Sequence, residues 1–599
     1  MLRLSGPKPK PICHAKGSPT MHDLLIKNGT IVDGTGQKAF KGDVAITGDK
    51  ITYVGPSGEA GEAKEVIDAD GKLVTPGFVD MHTHYDAQAS WDPWLTPSSW
   101  HGVTTCVMGS CGVGFAPAKK DKHDWLIGLM EGVEDIPGAA LAEGITWEWE
   151  SFPQYLDALD KMDRVIDIAA QIPHGALRAY VMGERGADNE EATADDIEKM
   201  CELVTDGLKA GAVGFSTSRT LLHKSIEGVP VPGTFASRDE LFGIGNALRD
   251  AGHGVYQVAS DHGSVPDEME WMKVLSTEIG KKVCVNLSQV DQDPKLYEKG
   301  LQKLEEAAEE GVELYAQCAG RSIGIVMCWQ GTANPFIGFT EFLKVGWLPW
   351  EEQLAELQKD EVRSKIINDD PQDLGEFANM ISRSFHKMFP MKEGIEYEPA
   401  SSESVAAIAE RTGKKPEEII YDALMNGAEE GDGKGLIYFP LFNYSDDNLD
   451  VVHKFHTHER TFMGLSDAGA HCGAICDGGM PTFMLTHWTR DRERGDKIAL
   501  EHIIHRQTQA TAEMYGFFDR GTLSVGKRAD VNVIDYDGLG FERPELAWDL
   551  PAGGRRFIQK AKGYNYTLVA GEIVVENDAF TGKLPGKLVR GPQPAPDAQ

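Results

Sequence analysis

Apolar and polar positions alternate in two different ways along the chain, and each way predicts a different kind of sheet. Between residues 23 and 73, short apolar stretches are separated by Gly and Asp-Gly turns, and the same texture returns at residues 529–535 and 566–575. Such alternation is typical of strands that bury one face and are joined by tight turns. We therefore expect a small antiparallel β-unit at residues 22–73, completed by residues 520–590 into one β-sandwich formed by both termini.

The middle of the chain, residues 74–519, alternates strand-like apolar runs with helical patterns, for example helices at 195–210 and 296–310. This alternation predicts a parallel α/β fold. Eight runs end in small or polar residues and are the predicted strands: 78–84, 104–111, 167–174, 212–218, 254–261, 283–289, 313–319 and 462–467. Eight such units predict a TIM-type (β/α)8 barrel, whose catalytic residues lie at the C-terminal ends of the strands.

The interval between the seventh and eighth predicted strands is too long for one loop and one helix. We expect an insertion at about residues 320–460, marked by the aromatic residues Trp329, Phe336, Phe339, Trp347 and Trp350. A lid over the barrel mouth and an additional packed subdomain are two equally good interpretations of this segment.

The net charge of the chain limits the classes of partner that we expect it to bind. The 599 residues include 93 acidic and 59 basic side chains, for a formal net charge of −34. A surface with this much negative charge repels phosphate backbones and anionic lipid. We therefore expect neither a nucleic-acid nor a membrane partner. No stretch approaches 18 consecutive apolar residues, which argues against a transmembrane helix. Assembly into a homo-oligomer is left open.

Residues 1–21 differ from the rest of the chain, because the first 20 are basic and proline-rich and contain no apolar h-region. We expect a disordered tail or an early start codon there. Nine cysteines are scattered along the chain, some inside apolar runs such as Val283-Cys284-Val285. This usage predicts reduced thiols and a cytoplasmic protein rather than a disulfide framework.

The first predicted barrel strand ends in His82-Thr83-His84. Residues two apart on a strand face the same side, so both imidazoles can reach one metal ion, and neutral imidazole is a standard zinc ligand. The other interpretation is two histidines in a polar loop. Asp467 ends the eighth predicted strand, where an Asp is often only a turn former. In a barrel that begins with His-x-His, Asp467 is the predicted third ligand and general base.

Other polar residues also follow predicted strands and are candidates for binding substrate: His174, Ser216, Arg219, His223 and His471. His174 or Arg219 is expected to help the metal stabilise a tetrahedral oxyanion.

Several segments together resemble one known family. They are VTPGFVDMHTH (74–84), HGVTT (101–105), GSCGVGFAP (109–117), PHGALR (173–178), Ser466-Asp467 and GTLSVGKRAD (521–530). Over residues 22–590 the chain resembles the amidohydrolase superfamily, and within it the N-acyl-D-amino-acid deacylase (D-aminoacylase) branch. The resemblance implies a (β/α)8 barrel with a composite β-sandwich, and amide hydrolysis by metal-bound water. In that branch a strand-2 cysteine replaces the bridging lysine of many relatives, and Cys111 matches that cysteine.

The chain departs from the family pattern in its second metal site and in substrate recognition. The metal-binding histidines of strands 5 and 6 have no match; His262 lies a few positions late and is either a substitute ligand or a loop histidine. The strand-6 lysine that binds substrate falls on Gln289, and the arginine that pairs with the substrate carboxylate has no match within residues 478–483. One zinc is therefore expected, with a second left open.

Three functions follow from these patterns. The first is an N-acyl-amino-acid amidohydrolase that takes a small-molecule amide. The second is a hydrolase of another amide, such as a cyclic imide, lactam, carbamate or aryl amide, which the missing arginine favours. The third is a non-catalytic barrel protein, against which the joint retention of His82, His84, Cys111 and Asp467 argues.

Overall fold

Eight parallel strands form a barrel at the centre of the protein, which the computed structural model describes over residues 21–391 and 396–596. Barrel strands 1 to 8 are Phe78–Asp80, Val103–Met108, Asp167–Pro173, Gly214–Ser218, Val255–Ala259, Val283–Asn286, Leu314–Cys318 and Thr461–Met463. Each strand pairs with the next one in the sequence. A parallel bridge between Thr83 and Ala468 joins the two ends of the sheet. The predicted (β/α)8 barrel is confirmed.

The barrel strands are shorter than the apolar runs that predict them. Strand 1 ends at Asp80 and strand 8 at Met463, so His82, His84 and Asp467 lie in the segments that leave the sheet. These segments have turned away from regular pairing, and their side chains are therefore not restricted to the alternation of a strand.

Helices follow most of the barrel strands. They are His123–Glu134, Gly138–Gly144, Phe152–Leu159, His174–Met182, Glu184–Ala187, Ala194–Ala210, Arg238–Ala251, Val265–Ile279, Leu296–Glu309, Asp450–Thr457, Met480–Thr486, Leu500–Gln507 and Gln509–Met514. The helix predicted at 195–210 begins after Thr193, which forms a capping box with Asp196, and it ends at Gly211 with φ of 119°. Its buried residues Met200, Val204 and Leu208 recur every four positions, as expected for a helix that packs on the barrel.

Both ends of the chain contribute to one nine-stranded sheet. Its strands are His22–Ile31, Phe40–Thr47, Lys50–Gly55, Ala63–Asp68, Leu73–Pro76, Val531–Ile534, Tyr564–Val569, Glu572–Glu576 and Ala579–Phe580. Leu73–Pro76 and Val531–Ile534 pair antiparallel and join the two halves. Two hairpins, Gly540–Phe541 with Ala561–Lys562 and Glu545–Leu550 with Gly554–Ile558, lie between these strands in the chain.

The expectation of a purely antiparallel N-terminal unit is wrong. His22–Ile31 pairs parallel with both Ala63–Asp68 and Leu73–Pro76. The hairpin Phe40–Gly55 occupies the other edge of His22–Ile31, so the chain crosses over and returns in the same direction. Expectations about residues 1–20 lie outside the described residues.

The segment between barrel strands 7 and 8 has a hydrophobic core of its own. Its helices are Thr340–Leu343, Trp350–Leu357, Asp360–Ile367, Glu376–Arg383, Val405–Thr412 and Pro416–Met425, and its sheet is Gly324–Met327, Phe389–Pro390 and Ile437–Pro440. Trp329, Phe336 and Phe339 are buried in this core, whereas Trp347 is 86% exposed. The segment is thus a packed unit, and it also supplies one wall of the cavity described below.

Two further observations concern the described residues. No helix within them is both long enough and apolar enough to cross a membrane. Their eight cysteines are all free thiols, seven of them buried.

Candidate metal centre and active site

Four side chains that follow the ends of three barrel strands meet at the mouth of the barrel. Nε2 of His82 lies 3.3 Å from Sγ of Cys111 and 3.1 Å from Oδ1 of Asp467. Nε2 of His84 lies 3.6 Å from the same carboxylate oxygen. The donor atoms of His82, His84 and Cys111 lie within 4.8 Å of one another, and all three residues are buried. The sequence prediction of these residues thus corresponds to a spatial cluster.

The backbone that carries this cluster is strained at several positions. Cys111, Leu465, Asp467 and His471 have φ values of 57°, 57°, 48° and 51°, in the left-handed region that L-residues rarely adopt. Such conformations persist only where the surrounding structure enforces them, and they concentrate at functional sites. Gly112 follows Cys111, and a Cβ there would lie 2.6 Å from the backbone nitrogen of Ser218. The turn that presents Cys111 therefore requires glycine at that position.

Hydrogen bonds from strands 5 and 6 hold Cys111. Gln257 accepts a 2.8 Å hydrogen bond from the Cys111 backbone nitrogen, and its amide nitrogen donates to Oδ1 of Asn286 at 3.0 Å. The Asn286 amide in turn donates to Cys111 Sγ at 3.7 Å. Carboxamides therefore stand beside the thiol on the two strands where the resemblance to the family implied a second set of metal-binding histidines.

Sequence reasoning missed Glu134, which is 1% exposed at the end of helix His123–Glu134. Its Oε1 lies 3.3 Å from Nδ1 of His84, and its Oε2 lies 3.6 Å from Nε2 of His471. One signal was present in the sequence. Leu126 and Met130 are buried on this helix, and Glu134 is four residues further on, so an acid falls on the apolar face of a helix.

Electrostatics at the cluster favour the anionic forms that bind metals. Burial alone would raise the pKa of the Cys111 thiol, but His82 and His84 lower it below its usual value. Burial likewise opposes ionisation of Asp467, yet the same two imidazoles hold the pKa of its carboxyl well below the usual range. Metal ligands must be deprotonated, so a thiolate and a carboxylate are the forms required here.

A cavity of about 570 Å³ opens above the cluster, lined by His84, Cys111 and Asp467 at its base. Most of its remaining wall is aliphatic or aromatic, with contributions from the insertion that include Ile325, Ile381 and Phe442. An apolar cavity with a few convergent polar groups is the usual form of a small-molecule site.

Three further predicted residues, His223, His262 and His471, also line this cavity. Nδ1 of His223 lies 2.9 Å from the Ser218 hydroxyl. Burial, and to a smaller extent the nearby His471, lower the pKa of His223 to about 3. His262 packs on Phe442 with ring centroids 4.4 Å apart, and burial lowers its pKa to about 4. His262 is not in the group of donors that meet at His82, so its placement does not support a role as a metal ligand.

The other predicted substrate contacts lie away from the cavity. His174 hydrogen-bonds through both nitrogens, to Thr217 and Glu240, each at 2.8 Å. Arg219 forms an ion pair with Glu268 at 2.5 Å and lies over Trp271. These contacts do not support the oxyanion role expected of His174 or Arg219.

Ser216 and Gln289 have structural partners as well. The Ser216 hydroxyl binds the backbone of Gly109 and Gly112, on either side of Cys111. The Gln289 amide donates to Asp446 at 2.8 Å, which fastens the end of the insertion to strand 6. These partners are distant in sequence, so the position of a residue at a strand end did not reveal them.

The donor set fits a zinc ion. Two imidazoles, one thiolate and one carboxylate are all ligands that zinc accepts. Nδ1 of His82 is buried without a hydrogen bond, and Nδ1 of His84 has an ion-pair contact of 3.3 Å with Oε1 of Glu134. The only described group of three or more His, Cys, Asp and Glu donors with suitable spacing is the one built on His82, His84 and Cys111.

The chain is similar to several curated proteins over nearly its whole length. It is 27% identical over 602 residues to an uncharacterised protein of Mycobacterium tuberculosis, covering 94% of this chain and 93% of the relative. It is 25% identical to the D-aminoacylase of Alcaligenes xylosoxydans xylosoxydans, covering 95% of this chain and 97% of the relative. The N-acyl-D-glutamate deacylase of the same organism is 26% identical, with 95% and 96% covered.

Solved structures share the fold. An N-acyl-D-glutamate deacylase from Bordetella bronchiseptica, complexed with zinc and a phosphonate inhibitor, superposes with a TM-score of 0.63 at 23% identity, covering 96% of this chain and 100% of that one. A D-aminoacylase structure has a TM-score of 0.61 at 22% identity, covering 95% and 100%. The model of the amidohydrolase family matches residues 65–575. The chain therefore belongs to the amidohydrolase family.

Proposed function

We propose that the protein hydrolyses the C–N bond of an N-acyl amide, most closely in the manner of an N-acyl-amino-acid deacylase. The observation that carries the proposal is the meeting of His82, His84, Cys111 and Asp467 at the base of an apolar cavity. The D-aminoacylase and N-acyl-D-glutamate deacylase that resemble the chain support amide hydrolysis as the reaction class.

We propose one zinc ion as the cofactor, held by these four residues. Asn286 and Gln257 favour one ion over two, because carboxamide nitrogens that donate hydrogen bonds around Cys111 are not metal ligands. The free thiols of the described residues support a reducing, cytoplasmic location.

A zinc ion held by His82, His84, Cys111 and Asp467 would supply an activated water and would polarise the carbonyl of the substrate. Asp467 accepts the proton of the attacking water and delivers it to the leaving nitrogen. Nδ1 of His223 is engaged by Ser218, and its Nε2 is available to hydrogen-bond the carbonyl oxygen as negative charge develops there. Glu134 holds the ring of His84 through Nδ1.

A direct test is amine release from a panel of N-acyl-D- and N-acyl-L-amino acids and neutral anilides, with protein of known zinc content. We expect turnover of at least one class, and His82→Ala should remove both zinc and turnover. A zinc-loaded protein that releases amine from none of these substrates would contradict the proposal.

A second candidate is an amide hydrolase that does not recognise a free carboxylate. Among the described residues of the cavity wall, Lys224 is the one Lys or Arg side chain, and it is exposed. Arg219 is committed to Glu268. Because the described lining contains no arginine, a neutral amide loses no guanidinium contact there that an acid would make.

A further inference from the structure

Four apolar side chains are exposed around the mouth of the cavity. Leu221 and Leu222 follow barrel strand 4, while Ile337 and Phe377 belong to the insertion. They are 50%, 50%, 44% and 48% exposed, and all four line the same cavity as Asp467. We call these four residues the apolar rim.

The rest of the same cavity wall is mostly apolar, and it includes Ile323, Ile325, Ile381, Leu441 and Phe442. Polar side chains such as His223, His262 and Asn334 interrupt it. An exposed apolar group that leads into a concave apolar site differs from isolated surface residues, since grouped exposure marks a binding surface. Its continuity with the metal-binding residues points to the substrate as the occupant.

Charge at the cavity argues for a neutral occupant in this region. The two carboxylates of the described lining, Glu134 and Asp467, lie at its base and contact histidines. Lys224 is exposed beside Leu222. The cavity wall between the carboxylates and Lys224 can bury apolar surface of a ligand. Such burial stabilises the bound ligand roughly in proportion to the apolar area that is covered.

We propose that the apolar rim and the wall beneath it bind a long aliphatic or aryl arm attached to the scissile amide. The enzyme is thus selective for lipophilic amides over short-chain ones. This inference rests on the proposed function, and it specifies the substrate class of the same site.

Two matched series test the inference. One varies the acyl group of a single amine from acetyl through hexanoyl to decanoyl; the other varies the amine of an acetamide over the same lengths. We expect kcat/KM to rise about fourfold per added methylene in one series until the arm extends beyond the apolar rim. Rates that do not change with length in both series would overturn the inference while leaving the proposed function intact.

Binding measured by calorimetry separates the two proposals further. If no substrate is cleaved but affinity for the intact amides rises with arm length, the proposed function fails and the apolar-arm inference holds. If acetyl substrates are cleaved and affinity does not depend on arm length, the proposed function holds and the apolar-arm inference fails.

The variant Phe377→Ser tests whether the preference for long substrates depends on the apolar rim. We expect about a fivefold loss of kcat/KM for the decanoyl substrate and little change for the acetyl substrate. Phe518→Ser is the matched control, because Phe518 is 42% exposed but does not line the cavity. Equal effects of the two variants would contradict the inference. So would a dimer that Phe377→Ser dissociates without a change in chain-length preference, since the occupant would then be a second copy.

Discussion

Oε1 of Glu134 lies 3.3 Å from Nδ1 of His84, on the side of the imidazole opposite to the nitrogen that approaches Asp467. A carboxylate in this position fixes which ring nitrogen carries the proton and leaves Nε2 as the ligand atom. Both residues are buried, so water does not compete for this contact. Glu134 is therefore a positioning residue that acts through His84.

Glu134→Gln should weaken zinc binding by about 10- to 100-fold, the usual effect of removing an outer partner of a metal-binding histidine. The amide preserves the size of the side chain, so the melting temperature of the metal-free protein should change little. Zinc affinity is measured by competition with a chelator. Asp124→Asn, at an exposed position of the same helix, is the control, and an equal loss of affinity in both variants would contradict the role.

Asp467→Asn should lower kcat by at least roughly 10²- to 10⁴-fold, because the amide cannot accept the proton of the attacking water. The fold should persist, since the amide and the carboxylate have the same shape. Steady-state kinetics are compared at equal zinc occupancy, which separates loss of the base from loss of metal. Activity within a few-fold of the wild type would assign the base to another group.

Cys111 should be a metal ligand in the thiolate form. Cobalt-substituted protein should show a thiolate-to-cobalt charge-transfer absorption, and Cys111→Ser should abolish that band. Cys106→Ser is the matched control, because Cys106 is buried on the strand that precedes Cys111 and burial raises the pKa of its thiol well above the usual value. A band that survives in Cys111→Ser and disappears in Cys106→Ser would refute the assignment.

A free carboxylate should contribute little to substrate recognition. A buried charge-assisted contact is worth about 1.5–3 kcal/mol, or roughly 10- to 150-fold in affinity. We expect kcat/KM for an N-acyl-amino acid and for its neutral methyl amide to differ by less than about tenfold. Arg219→Ala should affect both substrates equally, because Arg219 pairs with Glu268. A strong preference for the acid that disappears in Lys224→Ala would show that Lys224 binds the carboxylate.

Protonation of the Glu398 carboxyl should lower the free energy of unfolding in acid. Burial alone would raise the pKa of this carboxyl, but hydrogen bonds from His487 and Arg492 lower it from 4.5 to about 2. A depressed pKa means that the stabilisation is complete above about pH 4.5 and is lost as the pH falls toward 2. It amounts to about 3 kcal/mol.

Urea unfolding at pH 7, 4 and 3 measures this effect. The difference in unfolding free energy between the wild type and Glu398→Gln should shrink as the pH falls. Glu410→Gln, at an exposed position, should show no such trend, and a difference for Glu398→Gln that is constant with pH would exclude the linkage.

The sequence predicted the barrel because its signal is local. Each of the eight predicted strands overlaps a strand of the observed barrel, because β-branched apolar runs between helical patterns favour strands. The helix expected at 195–210 was found at Ala194–Ala210 because its cap and its terminal glycine are adjacent in the chain. The clustered residues His82, Cys111 and Asp467 were predicted for a related reason, because they stand next to strand ends.

What the sequence could not reveal was the partner of each polar side chain. His174 and Arg219 satisfy the same local pattern as His223, yet their partners Glu240 and Glu268 are 66 and 49 positions away. Whether a side chain turns into the cavity or outward depends on those distant partners. Glu134 was missed for the same reason, because its contacts with His84 and His471 exist only after the barrel has closed.

The closure between Thr83 and Ala468 sets an order of events during synthesis. Hydrogen bonds there join residues up to 386 positions apart, including that from Ser466 to Asp80. A nascent chain that has not yet released its last barrel strand holds His82, His84 and Cys111 but lacks Asp467. Such a chain offers the proposed zinc ion an incomplete set of donors, so complete coordination requires that Asp467 has been synthesised. Premature termination upstream of Asp467 should therefore leave products that neither retain the ion tightly nor release stray hydrolytic activity into the cell.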